Sequence, residues 1–190
     1  MAPARTSVLW LTKVVHMFVL GIDPGLTRCG YGCIDGSGAR QRAVAAGVIT
    51  TPTDRSVPER LAQLRQELVA LIAECEPEVV VVERVLFQTN ARTAMAVGQA
   101  SGLALVSAIE AGVRVVEYSA NEVKLAVAGY GAATKQQVQQ MVKQLLGLTE
   151  VPRPPDAADA LALAICHLSS VRGTELRETA TSPMSRQALA

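Results

Sequence analysis

Aromatic side chains are scarce in this chain, with Phe, Tyr and Trp making up 3% of its 190 residues. Val, Leu and Ala must therefore fill its interior, and a hydrophobic content of 49% suffices for one substantial core and one domain. Histidine is almost missing: His16 and His167 are lone imidazoles. Cys29, Cys33, Cys75 and Cys166 form neither a C-x-x-C pair nor a Cys/His cluster. That spacing excludes an ordinary zinc site, and the thiols are expected to stay reduced in the cytoplasm. No apolar run reaches the roughly 18 residues of a membrane span, so no membrane partner is expected. A large excess of charge is lacking too, since the formal net charge is +1.

The charge is unevenly spread, however. Residues 54–83 carry three arginines against seven carboxylates, whereas residues 84–143 carry six basic side chains (Arg84, Arg92, Arg114, Lys124, Lys135, Lys143) against three glutamates. A basic stretch beside a carboxylate cluster fits a polyanion held against a metal site, and the count alone fits solvated surface charge equally well.

Four carboxylates stand out by their settings. Asp23 lies in Gly21-Ile22-Asp23-Pro24-Gly25, after an apolar run from Met17 to Leu20 that reads as a buried strand. Glu83 ends a second such run, Val79 to Val82. Asp156 and Asp159 open an alanine-rich amphipathic helix, and their i, i+3 spacing projects both to one side. Burying an unpaired carboxylate costs several kcal/mol, and a divalent cation is the simplest compensation. An all-oxygen ligand set points to Mg²⁺, with Mn²⁺ able to substitute, rather than to zinc. Taken singly, Asp156 and Asp159 could merely complement a helix dipole, and Asp23 could merely form a turn.

The order of elements is three antiparallel strands (from Phe18 to about Thr50), then helix, strand, helix, strand and helices. This predicts an α/β fold: a mixed five-stranded sheet with helices on both faces. Ser56-Val57-Pro58-Glu59 is a capping box opening the first helix, and Pro77 stops it. The unbroken run Val79–Val82 suits a central parallel strand covered on both faces. Residues 92–111 form a helix rich in small residues, with Gly98 and Gly102 four apart. Thr134-Lys135-Gln136-Gln137 opens another, and the last runs from Pro155 to about Ser170. Residues 1–16 read as an N-terminal extension, with Met17 an alternative start. Residues 17–170 form the folded domain, and residues 171–190 are expected to be a disordered tail.

These motifs together resemble the RuvC family of Holliday-junction resolvases. The resemblance rests on Gly-Ile-Asp-Pro-Gly at 21–25, Val-Glu-Arg-Val at 82–85, Gly-Gln-Ala-Ser-Gly at 98–102 and Asp-Ala-Ala-Asp-Ala at 156–160, in that order. It implies a ribonuclease-H-like fold and a Mg²⁺-dependent endonuclease with two ions per subunit. Such an enzyme acts as a homodimer that places paired symmetric nicks in four-way junction DNA during recombination and repair. It further implies that Asp23, Glu83, Asp156 and Asp159 are catalytic metal ligands and that Lys124 and Lys135 contact DNA. Cooperation with the RuvA and RuvB branch-migration proteins follows from the same likeness. The family often places a base-stacking aromatic three residues after the catalytic glutamate. Here Leu86 stands there with Phe87 beside it, so either could meet unstacked bases, with Arg92 a further candidate DNA contact. Gly98 and Gly102 are candidates for a helix seam between protomers. Two other readings compete: an actin-like ATPase or phosphotransferase-type domain using Gly21–Thr27 as a phosphate loop, and an inactive nucleic-acid-binding relative.

Overall fold

The computed structural model describes residues 17–37, 40–84 and 91–181, with the backbone alone for Arg92 and residues 175–181. Five strands, β1 (Phe18–Asp23), β2 (Arg28–Asp35), β3 (Arg42–Thr50), β4 (Val79–Glu83) and β5 (Arg114–Tyr118), form one sheet in the order β3-β2-β1-β4-β5. The β1–β2 and β2–β3 pairs are antiparallel, whereas β4 is parallel to both β1 and β5. This is the mixed sheet that the element order predicts, in the arrangement of a ribonuclease-H-like fold. Its helices are α1 (Val57–Cys75), α2 (Ala91–Glu110), α3 (Ala120–Ala128), α4 (Lys135–Leu145) and α5 (Pro155–Thr181).

Strand alternation divides the interior into two cores. Leu20, Ile22, Val80 and Val82 face α1 and α2, where Leu64, Leu68, Ile72, Ala100, Ala104 and Ala108 meet them. Val19, Val79 and Val81 face the other way, toward α5 with α3 and α4 behind it. Val79 to Val82 are all at most 2% exposed, as a strand covered on both faces requires. Each such side chain contributes roughly 1.5–3 kcal/mol over leaving it in water.

Helix α1 begins and ends where its residues predict: the Ser56 amide donates to Glu59 Oε2 at 3.0 Å, and the helix ends at Glu76 in a left-handed conformation just before Pro77. Two helices differ from expectation. The sequence reading has no helix over 120–128, although Ser119 and Glu122 make a capping box there, with the Ser119 amide donating to Glu122 Oε2 at 2.8 Å. And α5 continues to Thr181 instead of ending near Ser170, so the first part of the expected tail is helical. Residues 1–16 and 182–190 lie outside the described residues.

Candidate active site

The alternation that buries Leu20 and Ile22 on one face directs Asp23 to the other, toward α5, and the same parity applies to Glu83 after Val82. Ile22 pairs with Val82 in the parallel register, so Asp23 and Glu83 emerge side by side at the carboxyl ends of adjacent central strands. That is where open α/β sheets present their ligands.

Helix α5 brings the other two carboxylates by lying unusually close to the sheet. A Cβ on Gly21 would strike the Ala160 carbonyl oxygen, one on Gly30 the Asp156 carbonyl oxygen, and one on Gly32 would lie 2.7 Å from Leu161 Cγ. The alanines of α5 allow the approach from their side: Ala157, Ala158, Ala160, Ala162 and Ala164 are at most 1% exposed. Being apolar almost all round, α5 is buried between the sheet and the α3–α4 layer.

A cavity of about 330 Å³ results, lined by Asp23, Glu83, Asp159, Lys124 and Lys135 among others. Its electrostatics are under tension. Burial, then the neighbouring Glu83 and Asp159 carboxylates, push the Asp23 carboxyl up to about 7. Glu83 is raised by burial and by Asp159, although Lys135, a hydrogen bond from Asp23 and Lys124 oppose the shift. Asp159 is raised by burial even though Lys135 Nζ lies 2.5 Å from its Oδ2. Burial pulls the Lys135 amine down, but the bond to Asp159 and the charges of Asp159, Asp23 and Asp156 outweigh it and leave Lys135 raised. Asp23, Glu83 and Asp159 are thus all raised, by burial first and by neighbouring carboxylates second.

Asp156 stands on the other flank, held by Arg28 at the start of β2. Arg28 Nε and Nη2 both donate to Asp156 Oδ2, at 3.0 and 2.8 Å. Among the described residues, no three carboxylate, thiol or imidazole groups are gathered closely enough to chelate an ion in this side-chain arrangement. The donor chemistry nevertheless fits a hard divalent cation: oxygen ligands only, partly buried, and repelling one another.

The structure therefore brings Asp23, Glu83, Asp159, Lys124 and Lys135 around one cavity, with Asp156 at its side. Leu86 and Phe87 lie outside the described residues, as does the side chain of Arg92 at the start of α2. Gly98 and Gly102 lie on α2, across the sheet from this site, and a Cβ on either would meet nothing within 4 Å. Two arginines escaped the sequence reading. Arg28 pairs with a residue 128 positions away, which no local pattern signals. Arg60 on α1 is buried and donates to Thr51 Oγ1 at 2.9 Å and Thr27 Oγ1 at 2.7 Å, fixing the loop that follows Asp23. His167 is buried against Tyr118, whose hydroxyl lies 3.0 Å from its Nδ1. Burial and then Arg114 hold its pKa down, which suits a neutral packing role.

Comparison with known proteins agrees with this architecture. The family model for crossover junction endodeoxyribonuclease RuvC matches residues 19–167. The protein of that name from Syntrophomonas wolfei is 48% identical over 166 residues, covering 87% of this chain and 96% of its own. Its counterpart from Desulfitobacterium hafniense is 51% identical over 155 residues, covering 82% and 94%. The solved structure of Thermus thermophilus RuvC superposes with a TM-score of 0.76 at 40% identity, over 83% of this chain and 97% of that one. The same protein in complex with a Holliday junction substrate gives 0.75 at 37% identity, over 83% and 96%. The yeast mitochondrial resolvase Ydc2 shares the fold, with a TM-score of 0.63 at 14% identity, over 81% of this chain and 78% of its own. The match spans nearly all of the described domain and nearly the full length of these relatives, and the chain belongs to the RuvC family of crossover junction endodeoxyribonucleases.

Proposed function

We propose that this protein resolves Holliday junctions, cutting two strands of a four-way DNA junction by metal-dependent phosphodiester hydrolysis during homologous recombination and repair. The observation that carries this reading is the convergence of Asp23, Glu83 and Asp159 with Lys124 and Lys135 on one cavity, with Asp156 beside it. Its support from outside is the Thermus relative, whose structure was solved with a junction substrate.

The carboxylates of Asp23, Glu83, Asp156 and Asp159 would hold Mg²⁺, two ions per subunit, with Mn²⁺ able to replace it. Bound there, such ions would supply Lewis acidity toward the scissile phosphate and an activated water. The chain's own residues do the rest. Asp23, on the central strand between β2 and β4, stands between the two flanks of the site and would contribute its carboxylate to the cation from there. Its proton must leave first, so acid competes with the cation at this carboxyl. Lys124 and Lys135 place positive charge where a phosphodiester backbone would enter, and Lys135 sits in the first turn of α4, at the positive end of the helix dipole. Leu86 or Phe87, which follow β4 in sequence, would meet unstacked bases, with Arg92 a further DNA contact. The enzyme works as a homodimer through α2 and takes its junction from the RuvA–RuvB branch-migration complex in the cytoplasm. No helix among the described residues is long and apolar enough to cross a membrane.

The phosphate-loop reading loses its motif here. Gly21 and Gly25 are explained by packing, since a Cβ on Gly21 would strike α5 and one on Gly25 the Arg28 carbonyl oxygen.

The test uses a synthetic four-way junction and a linear duplex of the same sequence. Mg²⁺ should support cutting of the junction alone, Ca²⁺ should support binding with little cutting, and EDTA should stop cutting. Asp23→Asn, Glu83→Gln, Asp156→Asn and Asp159→Asn should each abolish cleavage while junction binding survives. Full cleavage by any one variant removes that residue from the site, and turnover in EDTA overturns the metal mechanism.

A further inference from the structure

We infer that Arg28 is a positioning residue that restrains Asp156 and competes with a divalent cation for its carboxylate. The inference rests on the reading above that Asp156 is a cation ligand. Both Arg28 donors converge on one oxygen, Oδ2, so the guanidinium occupies a lone-pair region that a metal ion would need. The pair also ties the first turn of α5 to the first residue of β2. Asp156 does not line the cavity shared by the other three carboxylates. It still lies beside Asp23, because Asp23 pairs with Gly30 across β1 and β2 and a Cβ on Gly30 would lie 3.1 Å from Asp156 Cβ. Asp159, three residues on, is held in the same manner by Lys135. The cluster is thus flanked by two internal cations, each paired with one of the α5 carboxylates.

The Arg28 restraint is weak enough to yield. Its side chain is 46% exposed and that of Asp156 26%, so the pair is partly screened. Releasing a pair of this kind should tighten cation binding by about two- to five-fold, the range expected of a solvent-accessible ion pair. Removal of any positive charge near the site would act in the same direction, and a double-mutant cycle separates the two causes.

Mn²⁺ binding to the full-length protein without DNA, read from free Mn²⁺ by electron paramagnetic resonance, provides the test. Wild type, Arg28→Ala, Asp156→Asn and the double variant are compared. Arg28→Ala should bind Mn²⁺ two- to five-fold more tightly than wild type, Asp156→Asn more weakly, and the double variant should match Asp156→Asn. If Asp156→Asn binds Mn²⁺ as wild type does, the assignment of Asp156 as a ligand fails, and this inference with it. If Asp156→Asn weakens binding but Arg28→Ala leaves it unchanged or weakens it too, the competition is overturned while the ligand assignment stands. A gain from Arg28→Ala that persists undiminished in the Asp156→Asn background also overturns it, leaving only a general charge effect.

Discussion

At Asp23 the demands of folding and of the proposed cation binding oppose each other. Burial and three neighbouring carboxylates raise its pKa from the ordinary range to about 7, so the folded protein holds that proton more tightly than the unfolded chain does. The contribution to stability is therefore fully present below the unfolded value near 3.8 and is lost as pH rises through about 7. With divalent ions chelated, wild type should lose stability between about pH 4 and pH 8, and Asp23→Asn should lose less. The variant should be the more stable by on the order of a few kcal/mol at pH 8, with the difference vanishing near pH 4. Thermal melts of both proteins in EDTA across this range are the measurement; parallel curves would show that Asp23 ionises without penalty. Adding Mg²⁺ at pH 8 should raise the wild-type melting temperature and leave Asp23→Asn nearly unchanged, because ligand that binds only the folded state stabilises it. This tension is also why Asp23 and Glu83 were legible in sequence: a carboxylate ending a run of buried β-branched residues contradicts its surroundings. Arg28 and Arg60 carry no such contradiction. An arginine after a turn or in a helix's first turns reads as ordinary surface, and only the fold brings Arg28 to Asp156 and Arg60 to Thr27.

Among the elements, α5 is the one on which the site depends, because its close approach to the sheet needs glycines on β1 and β2 at Gly21, Gly30 and Gly32. A methyl group on Gly30 would meet the Asp156 carbonyl oxygen and its Cβ, with backbone on both sides unable to yield cheaply. Gly30→Ala should therefore cost about 1–3 kcal/mol, as overpacking in a filled core does, and should shift the first turn of α5 outward. Cleavage should fall much further than stability, since Asp156 and Asp159 move with that turn. Denaturant titration alongside single-turnover cleavage separates the two effects, and a variant that loses stability but keeps its cleavage rate would break the link. The strands and α1 could be read directly, because their apolar periods, capping box and terminating proline agree with the burial found. What escaped was α3, whose capping box at Ser119 and Glu122 precedes only nine helical residues. The end of α5 escaped as well. Beyond Ser170 its sequence becomes polar, and a polar continuation leaves no apolar period to detect.

For the whole molecule the governing property is symmetry. A four-way junction resolved by two matched cuts calls for two active sites related by a two-fold axis, which a C₂ dimer provides. On α2 the buried stripe is Ala100, Ala104 and Ala108, packed into the core. The opposite side carries Met95, Gly98, Gly102, Val106 and Ile109 at helical spacing, with Met95 66%, Val106 50% and Ile109 64% exposed. An apolar stripe with two glycines at its centre allows another helix to approach closely, and a second copy of the same stripe is the partner proposed above. The glycines make the test clean. Nothing lies within 4 Å of a Cβ added at either, so a large charged side chain there need not disturb the protomer's own packing. Gly98→Glu or Gly102→Arg should yield a folded monomer by circular dichroism and sedimentation velocity. On a supercoiled cruciform plasmid, wild type should give mainly linear product from paired cuts, and the monomeric variants mainly nicked circles. Variants that still sediment as dimers and still linearise the plasmid would place the interface on another surface, whereas a wild type that is monomeric in solution would mean the junction itself assembles the pair.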